Sequence, residues 1–311
     1  MSAEPGREPT HHTATVRGAT LAYDVRGDLA DCTAGNPPLL LFGSPMDSTG
    51  FTTLAGHFPD RVVVTYDPRN TGRSQVGDTG AAVTVEQHAD DLHALVENLG
   101  VGPVDMFGTS GGATNALVNA TRHPDDVRVL VAHEPPVAAA LPDLAGIAQA
   151  TSDIVATYDD SGEGPAMARF IRLVMHLGPV DDAYLAAPPP DPAMFGLPTE
   201  DDGGRGNPLI GNLRGGGVEH PLDLEALRQV APRVLVAVGE ESGGPQDGGL
   251  AARAGYAVAA ALGLEPVVLP GGHDGFLGGE HGRTGRPDEF GAALRSVLAE
   301  AVDRTAAGSG R

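Results

Sequence analysis

Hydrophobic positions along the chain fall into two alternating rhythms. Short apolar runs recur at Leu39-Leu40-Leu41-Phe42, Val62–Tyr66, Val104–Phe107, Val127–Ala132, Arg233–Val238 and Pro266–Leu269, each closed by Gly, Pro or acidic residues. Runs of that length with such ends predict buried strands. Between them the spacing changes to that of helices. From Thr84 to Leu99, the side chains of Leu92, Leu95, Val96 and Leu99 share one face, and Thr84 with Gln87 forms a capping box. Further helices are predicted over about 112–123, 249–262 and 288–302. An antiparallel pair, Thr13–Arg17 with Thr20–Arg26, is expected at the start, turning at Gly18. Strands that alternate with helices predict an α/β fold with a mostly parallel central sheet flanked by helices.

The stretch from Pro135 to Pro221 breaks the rhythm. It holds two helical patterns, Leu144–Tyr158 and Pro165–Leu177, then a Pro/Gly-rich stretch from Ala187 to Gly217. Residues 1–134 and 222–311 therefore form the expected core, and 135–221 an inserted helical lid. Met167, Phe170, Ile171, Val174 and Met175 make an apolar stripe on the second helix. Such a stripe packs on a neighbouring helix, roofs an apolar pocket, or does both on its two sides.

Charge narrows the function classes. The 311 residues carry 20 basic and 41 acidic side chains, a formal net charge of −21. That balance argues against binding nucleic acid or an anionic membrane surface. All the basic residues are arginine, which removes lysine Schiff-base, pyridoxal-phosphate and Walker-type chemistry. A lone cysteine, Cys32, leaves no intrachain disulfide and no cysteine-built zinc site. No run approaches the roughly 18–20 apolar residues of a membrane span, and the first residues lack the apolar core of a secretory signal, so a cytoplasmic location is expected. His11-His12 reads as a disordered pair.

Gly108-Thr109-Ser110-Gly111-Gly112 has the G-x-S-x-G pattern of a nucleophile elbow, between a predicted strand and a predicted helix. A sharp strand-to-helix turn leaves little room for side chains beside the serine, and it lifts the hydroxyl above the carboxyl edge of the sheet. The plainer alternative is a tight turn whose serine caps the helix.

With these motifs the chain resembles the α/β-hydrolase-fold serine hydrolases from about Thr13 to Val302. Phe42-Gly43-Ser44-Pro45 stands where that family has His-Gly-x-Pro, and Asp67-Pro68-Arg69-Asn70-Thr71-Gly72-Arg73-Ser74 resembles its D-x-R-G-x-G-x-S turn. The resemblance implies Ser110 as nucleophile, with an oxyanion hole formed by the N–H groups of Ser44 and Gly111. It implies His273 as general base, because Pro270-Gly271-Gly272-His273 follows the last strand and the family's chain order is serine first, histidine last. The acid is open at this point. Glu134 closes the strand 24 residues after Ser110 and resembles the placement in haloalkane-dehalogenase-like members. The commoner Gly-x-x-Asp placement reads Gly239-Glu240-Glu241-Ser242 here, leaving Glu241, Glu240 and then Asp247 as alternatives.

The implied reaction is hydrolysis of a small or medium carboxylic ester, lactone or thioester through an acyl-enzyme, with no metal or organic cofactor. Met46, Phe170 and Val174 are expected to line a pocket for the apolar part of a small-molecule substrate. Carbon–carbon bond hydrolysis, cofactor-free haloperoxidase-like chemistry and a non-catalytic binding role use the same residues and remain alternatives. Epoxide hydrolases and haloalkane dehalogenases need an elbow aspartate, and this chain has Ser110 and no tryptophan.

Overall fold

In a computed structural model of the chain, residues 7–230 and 233–308 are described. The elements, in chain order, are β1 (Thr10–Val16), β2 (Ala19–Arg26), β3 (Leu39–Phe42), α1 (Thr52–Gly56), β4 (Val63–Tyr66), β5 (Gln75–Val76), α2 (Val85–Leu99), β6 (Val104–Thr109), α3 (Gly111–Arg122) and β7 (Val127–His133). There follow α4 (Leu144–Ser161), α5 (Glu163–Met175), α6 (Asp182–Ala186), α7 (Pro208–Arg214), α8 (Leu224–Val230), β8 (Val234–Gly239), α9 (Leu250–Leu262), β9 (Val267–Leu269) and α10 (Pro287–Gly308).

The strands form one sheet in the order β1-β2-β4-β3-β6-β7-β8-β9, with β5 paired to β2. β2 runs antiparallel to β1 and β4, and from β4 onward every neighbouring pair is parallel. The central strands β3, β4, β6 and β8 are buried at every position, which explains why they read as mostly apolar runs, and the one charge among them, Asp105 of β6, is paired with Arg61 and Arg128. Two apolar layers result. One packs α2, α3, α8 and α9 on one face around Leu40, Met106, Leu117 and Val236. The other packs α1 and α10 on the opposite face around Leu41, Phe107, Val131 and Phe290. This is the α/β-hydrolase fold.

His11 and His12 depart from expectation. They lie on β1, paired with Asp24 and Tyr23 of β2. The Asp24 carboxylate, 2.6 Å from His11 Nδ1, and the Tyr23 ring stacked on His12 give both histidines ordered partners. The capping prediction for α2 holds, with Thr84 Oγ1 accepting from the Gln87 N–H at 3.2 Å.

The helices α4 to α7 between β7 and β8 form an insertion whose apolar core, built on Ile147, Ile154, Tyr158, Leu173 and Ile210, is shared with Leu250 and Ala254 of α9. It is fastened to the sheet domain on two sides. On one, Arg253 of α9 makes a buried two-pronged ion pair with Asp143 at 2.9 Å, and the Gly178 N–H donates to Gly248 O at 3.0 Å. On the other, the Val83 N–H donates to Gly211 O at 3.0 Å, and Asn70 Nδ2 donates to Gly206 O at 3.1 Å.

Candidate active site

Parallel registry brings the carboxyl ends of β3, β6, β7 and β8 to one edge of the sheet, where open α/β folds place their ligands. Ser110 stands there between β6 and α3 with φ 55° and ψ −133°, a conformation that residues other than glycine seldom adopt. The turn is held by the Ser110 N–H donating to His133 O at 3.0 Å and by the Ala113 N–H donating to Ser110 O at 2.9 Å.

The first turn of α3 lies directly on the loop after β3. A Cβ on Gly112 would come within 2.8 Å of Gly43 Cα, so only glycine permits that approach. A Cβ on Gly111 would meet Ser44 O at 2.7 Å, which places the Ser44 turn, with its cis Ser44–Pro45 bond, against the nucleophile. Among the described residues, neither the Ser44 nor the Gly111 N–H has a hydrogen-bond acceptor.

Glu134 is 1% exposed and, at φ 47°, turns its side chain back across the strand ends. Its own N–H donates to Ala237 O at 2.8 Å, its Oε1 accepts from the Gly239 N–H at 2.8 Å, and its Oε2 accepts from His273 Nδ1 at 2.6 Å. A carboxylate can only accept, so Nδ1 of His273 carries the proton and Nε2 keeps its lone pair. Burial alone would raise the Glu134 carboxyl, but the hydrogen bond and charge of His273, the charge of His133 and the Ser242 hydroxyl together outweigh it and hold the group down to about 2. Burial likewise disfavours the His273 imidazolium, and Glu134, through its hydrogen bond and charge, outweighs that and raises the histidine above its ordinary value.

The other candidate acids have other partners, though Glu241 lines the same cavity as Ser110. Glu240 and Glu241 both reach Arg286, at 2.8 and 3.5 Å, and Asp247 accepts from the Gly244 N–H at 3.0 Å. Ser242, at the commoner acid position, is half-buried with its hydroxyl shielded from solvent near Glu134.

Ser44, Ser110, Gly111, Glu134 and His273 all line one cavity of about 640 Å³. Met46 lines it from the Ser44 turn, and Phe170, Ile171, Val174 and Met175 of α5 line it from the insertion. Met167, the fifth member of the stripe, packs instead into the insertion's own core. The stripe therefore serves both purposes. Met175 at 68% and Val174 at 45% exposure are open to solvent as well.

Three cavity-lining residues escaped the sequence reading. Asn212 of α7 donates from Nδ2 to Ser44 Oγ at 3.0 Å and pairs through Oδ1 with His88 Nε2 at 2.8 Å. His88 is buried, and desolvation drives its pKa down to about 4. Its position four residues before Leu92, on the apolar face of α2, was the available signal. Asn115, one turn into α3, has a buried and unpartnered Nδ2. Behind the acid, His133 is fully buried with Nδ1 against Thr109 Oγ1 at 3.0 Å, and burial lowers it to about 4. Its ring lies 6.0 Å from that of His273.

The profile of a family described as "alpha/beta hydrolase fold" matches residues 39–180. An uncharacterized hydrolase, YraK of Bacillus subtilis, is 37% identical over 124 residues, 40% of this chain and 44% of that protein. The matched stretch thus spans less than half the length of that relative. Among solved structures, a thermophilic esterase from Thermogutta terrifontis superposes with a TM-score of 0.64 at 21% identity, covering 94% of this chain and 99% of that one. An enol-lactonase from Burkholderia xenovorans LB400 superposes with a TM-score of 0.59 at 19% identity, covering 93% and 100%.

Proposed function

We propose that this chain, which belongs to the α/β-hydrolase superfamily, is a serine hydrolase cleaving a small or medium carboxylic ester, lactone or thioester. The observation that carries the reading is the Glu134–His273 pair, set in the same cavity as a serine in the strained elbow conformation. In this mechanism His273 Nε2 takes the Ser110 hydroxyl proton as Oγ attacks the carbonyl carbon. The Ser44 and Gly111 N–H groups receive the negative oxygen of the tetrahedral intermediate. His273 then delivers its proton to the leaving alcohol or thiol, and the acyl group stays on Ser110. In the second half a water gives a proton to His273 as it attacks the acyl carbon, and His273 returns that proton to Ser110 Oγ as the carboxylic acid leaves. Glu134 holds the ring in the required tautomer and stabilises the imidazolium without taking the proton itself.

The cavity walls favour a neutral substrate with an apolar arm. Its one guanidinium, Arg283, is already paired with Asp274, and the remaining charged groups are carboxylates. The test is a fluorophosphonate probe read by intact mass and peptide mapping. Stoichiometric labelling of Ser110, lost in Ser110→Ala together with p-nitrophenyl ester hydrolysis, is the expected result. No labelling of the folded chain, or a Ser110→Ala variant keeping more than a few per cent of its activity, overturns the reading.

A further inference from the structure

Away from the cavity, three ligand-type side chains converge where α2, the end of α3 and the following turn meet. His93 comes from α2, His123 follows α3, and Asp126 closes the short turn Pro124–Asp126. The two imidazole rings stack face to face, with centroids 3.8 Å apart and planes 5° from parallel. His93 Nδ1 lies 3.0 Å from both carboxylate oxygens of Asp126. One donor atom from each of the three residues lies within 4.8 Å of the others.

The surroundings suit a cation. Asp90 Oδ1 faces His123 Nε2 at 3.3 Å, and Glu97 Oε2 faces His93 Nε2 at 3.7 Å. Three carboxylates thus surround the rings, against one guanidinium, Arg122, which is bound to Asp90 at 2.6 Å. The Asp126 carboxylate is also oriented from behind. The fully buried Asn119 donates from Nδ2 to Asp126 Oδ2 at 3.0 Å and to Ala89 O at 3.3 Å. Supporting bonds of this kind hold a ligating carboxylate in place.

We propose that His93, His123 and Asp126 form a binding site for a divalent transition ion of the zinc class, with Asp90 or water completing the coordination. Two imidazoles and a carboxylate are a donor set that suits zinc, nickel or cobalt. Tetrahedral ligands with bonds of about 2.1 Å lie about 3.4 Å apart, near the 3.0 Å of the His93–Asp126 pair, and binding would turn the two rings out of their parallel stack so that both lone pairs meet one ion. When the ion takes His93 Nδ1, the ring proton sits instead on Nε2, where Glu97 is placed to accept it. No net proton need leave that histidine. The ion would cross-link α2, α3 and the turn before β7, and none of its ligands lines the cavity.

The test is titration of chelator-treated, dialysed protein with Zn²⁺, followed by calorimetry and thermal melting, with Co²⁺ absorption reporting the donor set. One ion per chain at micromolar or tighter affinity, with a raised melting temperature, is expected. His93→Gln and His123→Gln, each folded by circular dichroism, should weaken binding by about 100-fold. His273→Ala should bind as the parent does, which separates this site from the catalytic pair. Absence of saturable binding, binding only at millimolar Zn²⁺, or affinity unchanged in both glutamine variants overturns the proposal.

Discussion

The Glu134 carboxylate and His273 Nδ1 meet at 2.6 Å across 139 residues of chain. This contact raises the histidine and lowers the acid together, so removing its charge has two separable effects. Glu134→Gln should lower kcat by about 10³ to 10⁴, as the loss of the acid does in other triads. It should also move the acid limb of the pH–rate profile to lower pH, because His273 no longer gains from a neighbouring charge. Glu240→Gln and Glu241→Gln, whose partner is Arg286, should keep most of the activity. Steady-state kinetics of the three variants across pH distinguish these outcomes.

Two buried histidines set the acid limit of the fold. His88 and His133 are held neutral by burial, each with a pKa lowered to about 4 from 6.5. A depressed group stabilises the folded state above its unfolded pKa and loses that contribution as pH falls toward the folded value. Stability should therefore decline between about pH 6.5 and pH 4, by on the order of 3 kcal/mol for each histidine. Urea unfolding midpoints across that window should fall in the parent. The fall should shrink in His88→Gln, and a flat profile in the parent would count against the assignment.

The fold and the positions of Ser110 and His273, the proposed nucleophile and base, were legible because their signals are local. Leu39–Phe42 is apolar throughout, and Val104–Phe107 at all positions but Asp105, because both faces of the sheet are covered. Ser110 and His273 sit in glycine-rich turns whose conformation is written in adjacent residues. Which carboxylate meets His273 was not legible, because it depends on where Glu240 and Glu241 find a cation, and Arg286 lies 46 residues from Glu240. Asn212 was invisible for a similar reason. Its partners, Ser44 and His88, are 168 and 124 residues away, and its own neighbourhood reads only as loop. His11-His12 was misread because two polar residues at a chain start carry no sign of the β2 partners that order them.

Asn212 links the insertion to the Ser44 turn, the proposed source of half of the oxyanion hole. Asn212→Leu keeps the volume but leaves Ser44 Oγ and His88 Nε2 without their partners, at a cost of about 1–3 kcal/mol for each buried polar group. The variant should melt lower and lose about tenfold in kcat with little change in KM. Asn212→Asp should restore part of the stability by accepting from His88. Unchanged kcat in a folded Asn212→Leu protein would show that the contact is structural alone.

The apolar wall from α5 predicts a preference for medium acyl chains over acetate. Each added CH₂ buried against Phe170 and Val174 can contribute about 0.8 kcal/mol. Across p-nitrophenyl acetate, butyrate and hexanoate, kcat/KM should rise. Phe170→Ala should flatten the rise. A steady fall from acetate onward in the parent would assign the stripe to packing.

The attachment of the helical insertion on both of its sides bears on how molecules get in and out. With the Arg253–Asp143 ion pair on the α9 side and the Val83–Gly211 hydrogen bond on the other, swinging the insertion aside would break contacts at both margins at once. Entry past the exposed Val174 and Met175, both on the cavity wall, would then need only side-chain movement, and such a fixed cap would favour slender molecules over those branched near the reacting carbon.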